Sequence, residues 1–171
     1  IKTALEKEGF KYAYPYRHKI LSSSLKRKLG NQKRVLKKIS ARVSKNLNDD
    51  GINHTVVARE KDLYSIYKKM KQRHLPLDKI IDVYGIRILV DTPQDCYQVL
   101  GLVHGLYKPI MGKFKDYIAI PRVNGYQSIH TSLLGPNGTP IEIQIRTKDM
   151  NRVAENGIAA HWKYKSSSKQ D

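Results

Sequence analysis

"DKIIDVYGIRILVDTP", residues 78 to 93, is the stretch from which the fold is read. It is rich in β-branched residues and closes on a turn at Pro93, the pattern of a strand. Strand parity sends Ile86, Ile88 and Val90 to one face and Arg87 and Leu89 to the other. An arginine inside such an apolar run requires either a partner or an open cleft. Asp82 is open to three readings: that partner, a metal ligand, or a polar start to the strand.

The flanking segments are helical by periodicity. Upstream, in "AREKDLYSIYKKMKQRHLPLDK", Leu63, Ile66, Tyr67 and Met70 recur as the stripe of a helix packed on a core. On the same helix Lys61, Ser65, Lys68 and Lys69 line up along one side. With Arg59 just before them, they form either a phosphate-binding helix start or a solvated basic face. Downstream, "TPQDCYQVLGLVHGLY" carries a stripe of Cys96, Val99, Leu100 and Val103, with Cys96 read as a small buried apolar residue.

Further along, "GKFKDYIAIPRVNGYQSIH", residues 112 to 130, packs three Lys/Arg, one acid, two tyrosines and a histidine between short β-like runs. Lys115 to Pro121 reads as one strand, Gln127 to Leu134 as the returning one, and "VNGY" supplies an Asn-Gly hairpin signal between them. A second turn, "GPNGTP", leads into "IEIQIRT", so an antiparallel meander is expected. There Ile141, Ile143 and Ile145 point to the core, while Glu142, Gln144 and Arg146 point to solvent or ligand. A helix follows from about Lys148 with Met150, Val153, Ala154 and Ile158 inward, and residues 166–171 read as a disordered tail.

The first fifty residues differ in texture. From Arg17 to Lys45 there are eleven Lys/Arg and no acid, while Leu36, Ile39, Val43 and Leu47 recur at spacings of three and four. This is a basic amphipathic helix, expected to break upstream near Gly30 and to end in a loop over 46–53. It is either an RNA- or ribosome-binding arm or a linker helix with one packed stripe. The expected domains are therefore a basic helical linker over 1–50, a compact domain over 51–165 and the tail.

With 32 Lys+Arg against 15 Asp+Glu, the net charge of +17 favours polyanions: nucleic acid, nucleotides or an anionic membrane surface. The longest aliphatic run, Ile88-Leu89-Val90, is far too short to span a bilayer, and a signal-peptide pattern is missing, so a soluble protein is expected. A single cysteine suits a reducing cytoplasm. Ile1 in place of an initiator methionine suggests a piece of a longer chain. Among chemistry-bearing residues, Asp82 and Glu142 combine a carboxylate with a strand or strand-start position, the pair Mg²⁺ prefers beside phosphates. A Walker A pattern, zinc-ligand spacing among the six histidines and a Gly-x-Ser-x-Gly elbow are all missing.

"REKDLYSIYKKM", "IIDVYGIRILV", "GKFKDYIAIPRVNGYQSIHTS", "EIQIRTKDM" and "GIAAHWKYK" occur in the order and spacing of the synthetase domain of RelA/SpoT homologues, which make the alarmone (p)ppGpp. The chain resembles that family over roughly residues 50 to 165. The earlier "FKYAYPYRHKIL" looks like the family's connection from an upstream hydrolase domain. The resemblance implies an α/β (α+β) fold, a nucleotidyltransferase-like mixed sheet flanked by helices, with the N-terminal basic helical arm. It implies a cytoplasmic pyrophosphokinase in which the 3′-hydroxyl of GTP or GDP attacks the β-phosphorus of ATP and expels AMP.

By similarity, Arg59 and Arg87 sandwich the adenine by guanidinium stacking, and Lys61, Ser65 and Lys69 hold the ATP phosphates. Asp82 and Glu142 bind Mg²⁺, with Glu142 placed to accept the 3′-hydroxyl proton. Tyr126 stacks on the guanine, and Lys115, Arg122, Asn124, His130 and Asn151 contact the acceptor nucleotide. Gln144, Arg146 and His161 take supporting roles. The usual Arg-x-Lys-Asp loop reads Lys113-Phe114-Lys115-Asp116 here, and Arg122 replaces a usual Lys. Both changes keep charge but alter geometry, which bears on acceptor preference and rate. Lys115 and Asp116 favour the bifunctional class over the synthesis-only class, whose loop is acidic there. Hydrolase and regulatory domains linked in the parent chain, and a ribosome or RNA contact through it, are the partners implied besides the nucleotides. A catalytically weak regulatory copy and an RNA-binding module are the alternatives.

Overall fold

The computed structural model describes residues 2–77, 80 and 83–156. Along the chain these form α1 (Lys2–Ala13), α2 (Pro15–Asp49), β1 (His54–Glu60), α3 (Leu63–Arg73), β2 (Tyr84–Val90), α4 (Pro93–Leu106), β3 (Lys115–Asp116), β4 (Ile129–Leu134) and β5 (Pro140–Thr147). Helix α5 (Lys148–Asn156) closes the series. The residues expected at 166–171, and Ile158, lie outside the described residues.

The basic arm is a single helix of 35 residues, without the break expected near Gly30. A mid-helix glycine costs only about 1 kcal/mol relative to alanine. Here buried side chains on both sides of it outweigh that cost: Leu21 and Leu25 before, Leu36, Ile39, Val43 and Leu47 after. Each such side chain contributes roughly 1.5–3 kcal/mol on full burial. The helix also runs into the segment expected as a loop, to Asp49, and only residues 50–53 turn. Asp50 caps it through its own N–H, and Gly51 takes the left-handed φ of 70° that reverses the chain. The lower half of α2 packs on the sheet, in the same core as the strands. Helix α1 docks by an aromatic cluster in which Phe10 stacks on Tyr67 of α3 at 4.9 Å between ring centroids.

The five strands lie in the order β1-β2-β5-β4-β3. β1 runs antiparallel to β2, β2 parallel to β5, and β5, β4 and β3 antiparallel in turn. The sheet is therefore mixed, as expected for the fold class. On one face Ile86, Ile88, Ile129, Ile143 and Ile145 are fully buried beneath α2 and α4. Cys96 is buried in α4, which pushes its thiol up to about 12. Helix α4 begins with a capping box between Thr92 and Asp95, two reciprocal bonds that fix its first turn.

The hairpin differs from its expectation. The strand expected from Lys115 to Pro121 stops at Asp116, and the returning strand starts at Ile129 rather than Gln127. The cause is local: Asp116 Oδ1 accepts hydrogen bonds from the N–H groups of Ile118 (2.8 Å) and Ala119 (2.9 Å), which bends the chain out of the sheet. The Asn-Gly signal forms a three-residue loop: Gly125 N–H donates to Arg122 O (2.8 Å), Arg122 N–H to Tyr126 O (3.2 Å), and Gly125 holds φ 71°.

Candidate active site

The face of the sheet opposite the isoleucines carries the polar side chains, and strand register sorts them into rows. Arg59, Gly85, Glu142 and Ser132 are paired across β1, β2, β5 and β4. The next row is Val57, Arg87, Gln144, His130 and Lys115, and beyond it Leu89 pairs with Arg146. Residues far apart in sequence thus become neighbours about 5 Å apart across the strands. Arg59 and Arg87 sit diagonally on adjacent strands, a separation that long side chains bridge.

Gly85 leaves a hole in the first row. A Cβ there would lie 2.8 Å from the backbone oxygen of Glu142, so only glycine permits the approach of β2 to β5 at this point. The hole floors a cleft of about 330 Å³ lined by Arg59, Lys61, Arg122, Tyr126, His130 and Glu142, among others. A second cleft of about 430 Å³ holds Lys69, Arg73, Lys113 and Lys115. Arg122, His130 and Glu142 line both, so they form the boundary between the two clefts. Both clefts are strongly cationic, and Glu142 is the one acid among the described residues lining either.

At that boundary Tyr126, His130 and Glu142 form a chain. The Tyr126 hydroxyl lies 2.7 Å from His130 Nε2, and His130 Nδ1 lies 3.3 Å from Glu142 Oε1. A neutral imidazole protonated at Nδ1 satisfies both contacts, accepting from the phenol and presenting its proton to the carboxylate. The Tyr126 ring has the Arg122 guanidinium 5.7 Å away and that of Arg146 5.9 Å away. Arg122 also lies 4.4 Å over Tyr117 and donates to its hydroxyl (2.8 Å), which draws the Tyr117 pKa down.

The arginine inside the apolar strand has partners on α5. Arg87 Nη1 donates to Glu155 Oε1 (2.7 Å) and Asn151 Oδ1 (3.1 Å), while its Nε is buried without a hydrogen bond. Arg59 Nη1 donates to Gln144 Oε1 (2.9 Å). Arg146 is 2% exposed, and its Nε is also without a hydrogen bond. Burial draws its pKa down to about 10, and the nearby charges of Arg87 and Arg59 push the same way. Three guanidinium groups so close together, one of them buried, favour an anion at this surface.

Not every expected residue falls where the sequence put it. Lys61 precedes α3 rather than sharing its face: Asp62 is the N-cap, accepting from Ser65 N–H (2.9 Å), and Lys61 N–H donates to Val83 O (3.0 Å). Lys61 lines the first cleft, but Lys69 lines the second, beside Lys115. Lys68 is exposed. Asn124 and Tyr126 line the first cleft with Arg59, so the two sets of expected nucleotide contacts interleave in space. Asp82 and His161 lie outside the described residues. Tyr117 and Glu155 were missed; neither stands in a pattern that local periodicity can single out.

Among the described residues no group of three or more His, Cys, Asp or Glu could hold a metal by itself. Mg²⁺ needs less, since it takes one or two carboxylates plus substrate phosphates and keeps water for the rest. Glu142, a hard oxygen donor in otherwise cationic clefts, fits such an ion.

A sequence model described as a region found in RelA / SpoT proteins matches residues 58–169. The chain belongs to the RelA/SpoT family. It is 49% identical over 170 residues, 99% of its length, to the guanosine-3′,5′-bis(diphosphate) 3′-pyrophosphohydrolase of Vibrio cholerae. It is 49% identical over 165 residues, 96% of its length, to the bifunctional (p)ppGpp synthase/hydrolase SpoT of Escherichia coli. This RelA/SpoT chain spans 24% of the length of each of those relatives. Its fold is similar to the small alarmone synthetase 2 of Bacillus subtilis, with a TM-score of 0.67 and 26% identity, covering 85% of this chain and 83% of that one.

Proposed function

We propose that this RelA/SpoT domain is a GTP/GDP pyrophosphokinase, which transfers the β,γ-pyrophosphate of ATP to the 3′-hydroxyl of GTP or GDP. The observation that carries this reading is the meeting of two cationic clefts at one carboxylate, Glu142. A transfer between two polyphosphate-bearing nucleotides needs that arrangement: two anion sites and a base at their junction. The E. coli relative's name includes (p)ppGpp synthase, and the B. subtilis structure is named an alarmone synthetase.

In this reading Arg59 and Arg87 stack on the adenine, their planes set by Gln144 on one side and by Asn151 and Glu155 on the other. Lys61, Ser65 and Lys69 hold the ATP phosphates. Tyr126 stacks on the guanine, and Lys115, Arg122, Asn124, His130 and Asn151 contact the acceptor. O3′ attacks the β-phosphorus, the bond from that phosphorus to the α,β-bridging oxygen breaks, and AMP leaves with the oxygen. Glu142 takes the O3′ proton, with His130 beside it to hold the carboxylate in place. Asp82 and Glu142 would hold Mg²⁺, which when bound neutralises phosphate charge.

With β,γ-labelled ATP and GDP, label is expected in a guanosine product together with AMP. No transfer under any condition of magnesium, salt or activator would overturn the reading. Because Asn151 bonds Arg87 and is assigned to the acceptor in this reading, Asn151→Ala is expected to raise the KM for ATP as well as for GDP, each by about threefold to tenfold. An ATP KM that stays constant while that of GDP rises would detach Asn151 from the donor site.

The relatives' greater length supports linked hydrolase and regulatory domains in the parent protein. The exposed Lys and Arg of α2, including Lys37, Lys38 and Arg42, offer a surface for RNA or ribosome. No helix of the described residues is long and apolar enough to cross a membrane, and we take the cytoplasm as the site of action.

A further inference from the structure

We propose that Tyr97 is a positioning residue for the acceptor nucleotide, acting through Asp116; this rests on the pyrophosphokinase reading above. The residues assigned to the guanine nucleotide after Asp116, namely Arg122, Asn124 and Tyr126, belong to one irregular segment between β3 and β4. Apolar packing reaches only the start of that segment, where Ile118 lies against the core; beyond it Ile120 is 77% exposed and Val123 wholly so. Past Ile118 its course is held by ring contacts among Tyr117, Tyr126 and His130 and by polar contacts.

Most of those contacts stay within the segment or run to the start of β4. Tyr117 N–H donates to Ser128 O (3.0 Å), Gln127 Nε2 to Ile118 O (3.4 Å), and Arg122 to Tyr117. Asp116 differs. Its Oδ1 accepts from Ile118 and Ala119 N–H, and its Oδ2 accepts from the Tyr97 hydroxyl at 2.9 Å. One carboxylate thus shapes the bend that starts the segment and ties it to α4. Helix α4 is a rigid base, with the neighbouring Cys96, Val99 and Val103 wholly buried and its first turn locked by the capping box. Tyr97 itself is 42% exposed and is free of any substrate cleft, so its hydroxyl acts on the nucleotide only through the bend.

Tyr97→Phe removes one O–H and keeps the ring. It is expected to raise the KM for GDP by roughly threefold to tenfold, the span a single net hydrogen bond supplies, with kcat and the KM for ATP unchanged. Amide exchange at Ile118 and Ala119 should quicken in the same variant, a readout independent of turnover. In an Asp116→Ala background Tyr97→Phe should add nothing, because the hydroxyl then has no carboxylate to hold. Unchanged exchange at Ile118 and Ala119, or a GDP KM within experimental error of the unaltered protein, would overturn the proposal. Absence of any product from ATP and GDP in the unaltered protein would overturn the pyrophosphokinase reading instead, and the exchange data would still decide whether Tyr97 holds the bend.

Discussion

Glu142→Gln is expected to lower the rate of AMP formation from ATP and GDP by about a thousandfold, within the range that loss of a positioned general base produces. Glutamine keeps the size and one oxygen of the side chain but cannot accept the O3′ proton. It also weakens the only acid that the described residues place in either cleft. The fold should survive, because the Glu142 side chain is 24% exposed and its strand is held by isoleucines on the opposite face. Binding of ATP without Mg²⁺ should hold or tighten, since a negative charge is removed from a phosphate site. The measurement is single-turnover product formation beside nucleotide affinity. A rate within tenfold of the unaltered protein would show that Glu142 is not the base.

Gly85→Ala is expected to act on both stability and rate. The added Cβ would meet the Glu142 carbonyl oxygen at 2.8 Å and the Glu142 Cβ at 3.6 Å. The first of these is backbone in a paired strand, which cannot swing aside as a side-chain tip does. The parallel β2–β5 pair must open, at a cost of about 1–3 kcal/mol typical of overpacking. Urea denaturation would read it as a lower midpoint at unchanged m. The same shift displaces Glu142, and a misplacement near 1 Å can cost about a hundredfold in rate. A variant as stable and as fast as the unaltered protein would contradict the pairing of Gly85 with Glu142.

Much of the architecture was legible from period alone. The stripes of α3 and α4 and the parity of β2 and β5 follow from 3.6- and 2-residue repeats, and parity alone placed Arg87 and the polar residues of "IEIQIRT" away from the isoleucines. Local competition was harder to read. Gly30 and the Asn- and Asp-rich stretch at 46–49 signal a break, yet buried leucine, isoleucine and valine side chains carry α2 through both. Lys115 to Pro121 has strand composition, yet two hydrogen bonds to Asp116 end the strand after its second residue.

What the sequence determined by itself is which face each strand residue takes and which chemistry it brings, because those depend on near neighbours. The tertiary structure decided who meets whom. The parallel pairing of β2 with β5 puts Gly85 beside Glu142, the α5 contact gives Arg87 its acid, and the α4 contact gives Asp116 its phenol. Each joins segments that local periodicity treats as independent: 57 positions separate Gly85 from Glu142, 68 separate Arg87 from Glu155, and 19 separate Tyr97 from Asp116. Only closure of the intervening chain around a shared core selects those partners.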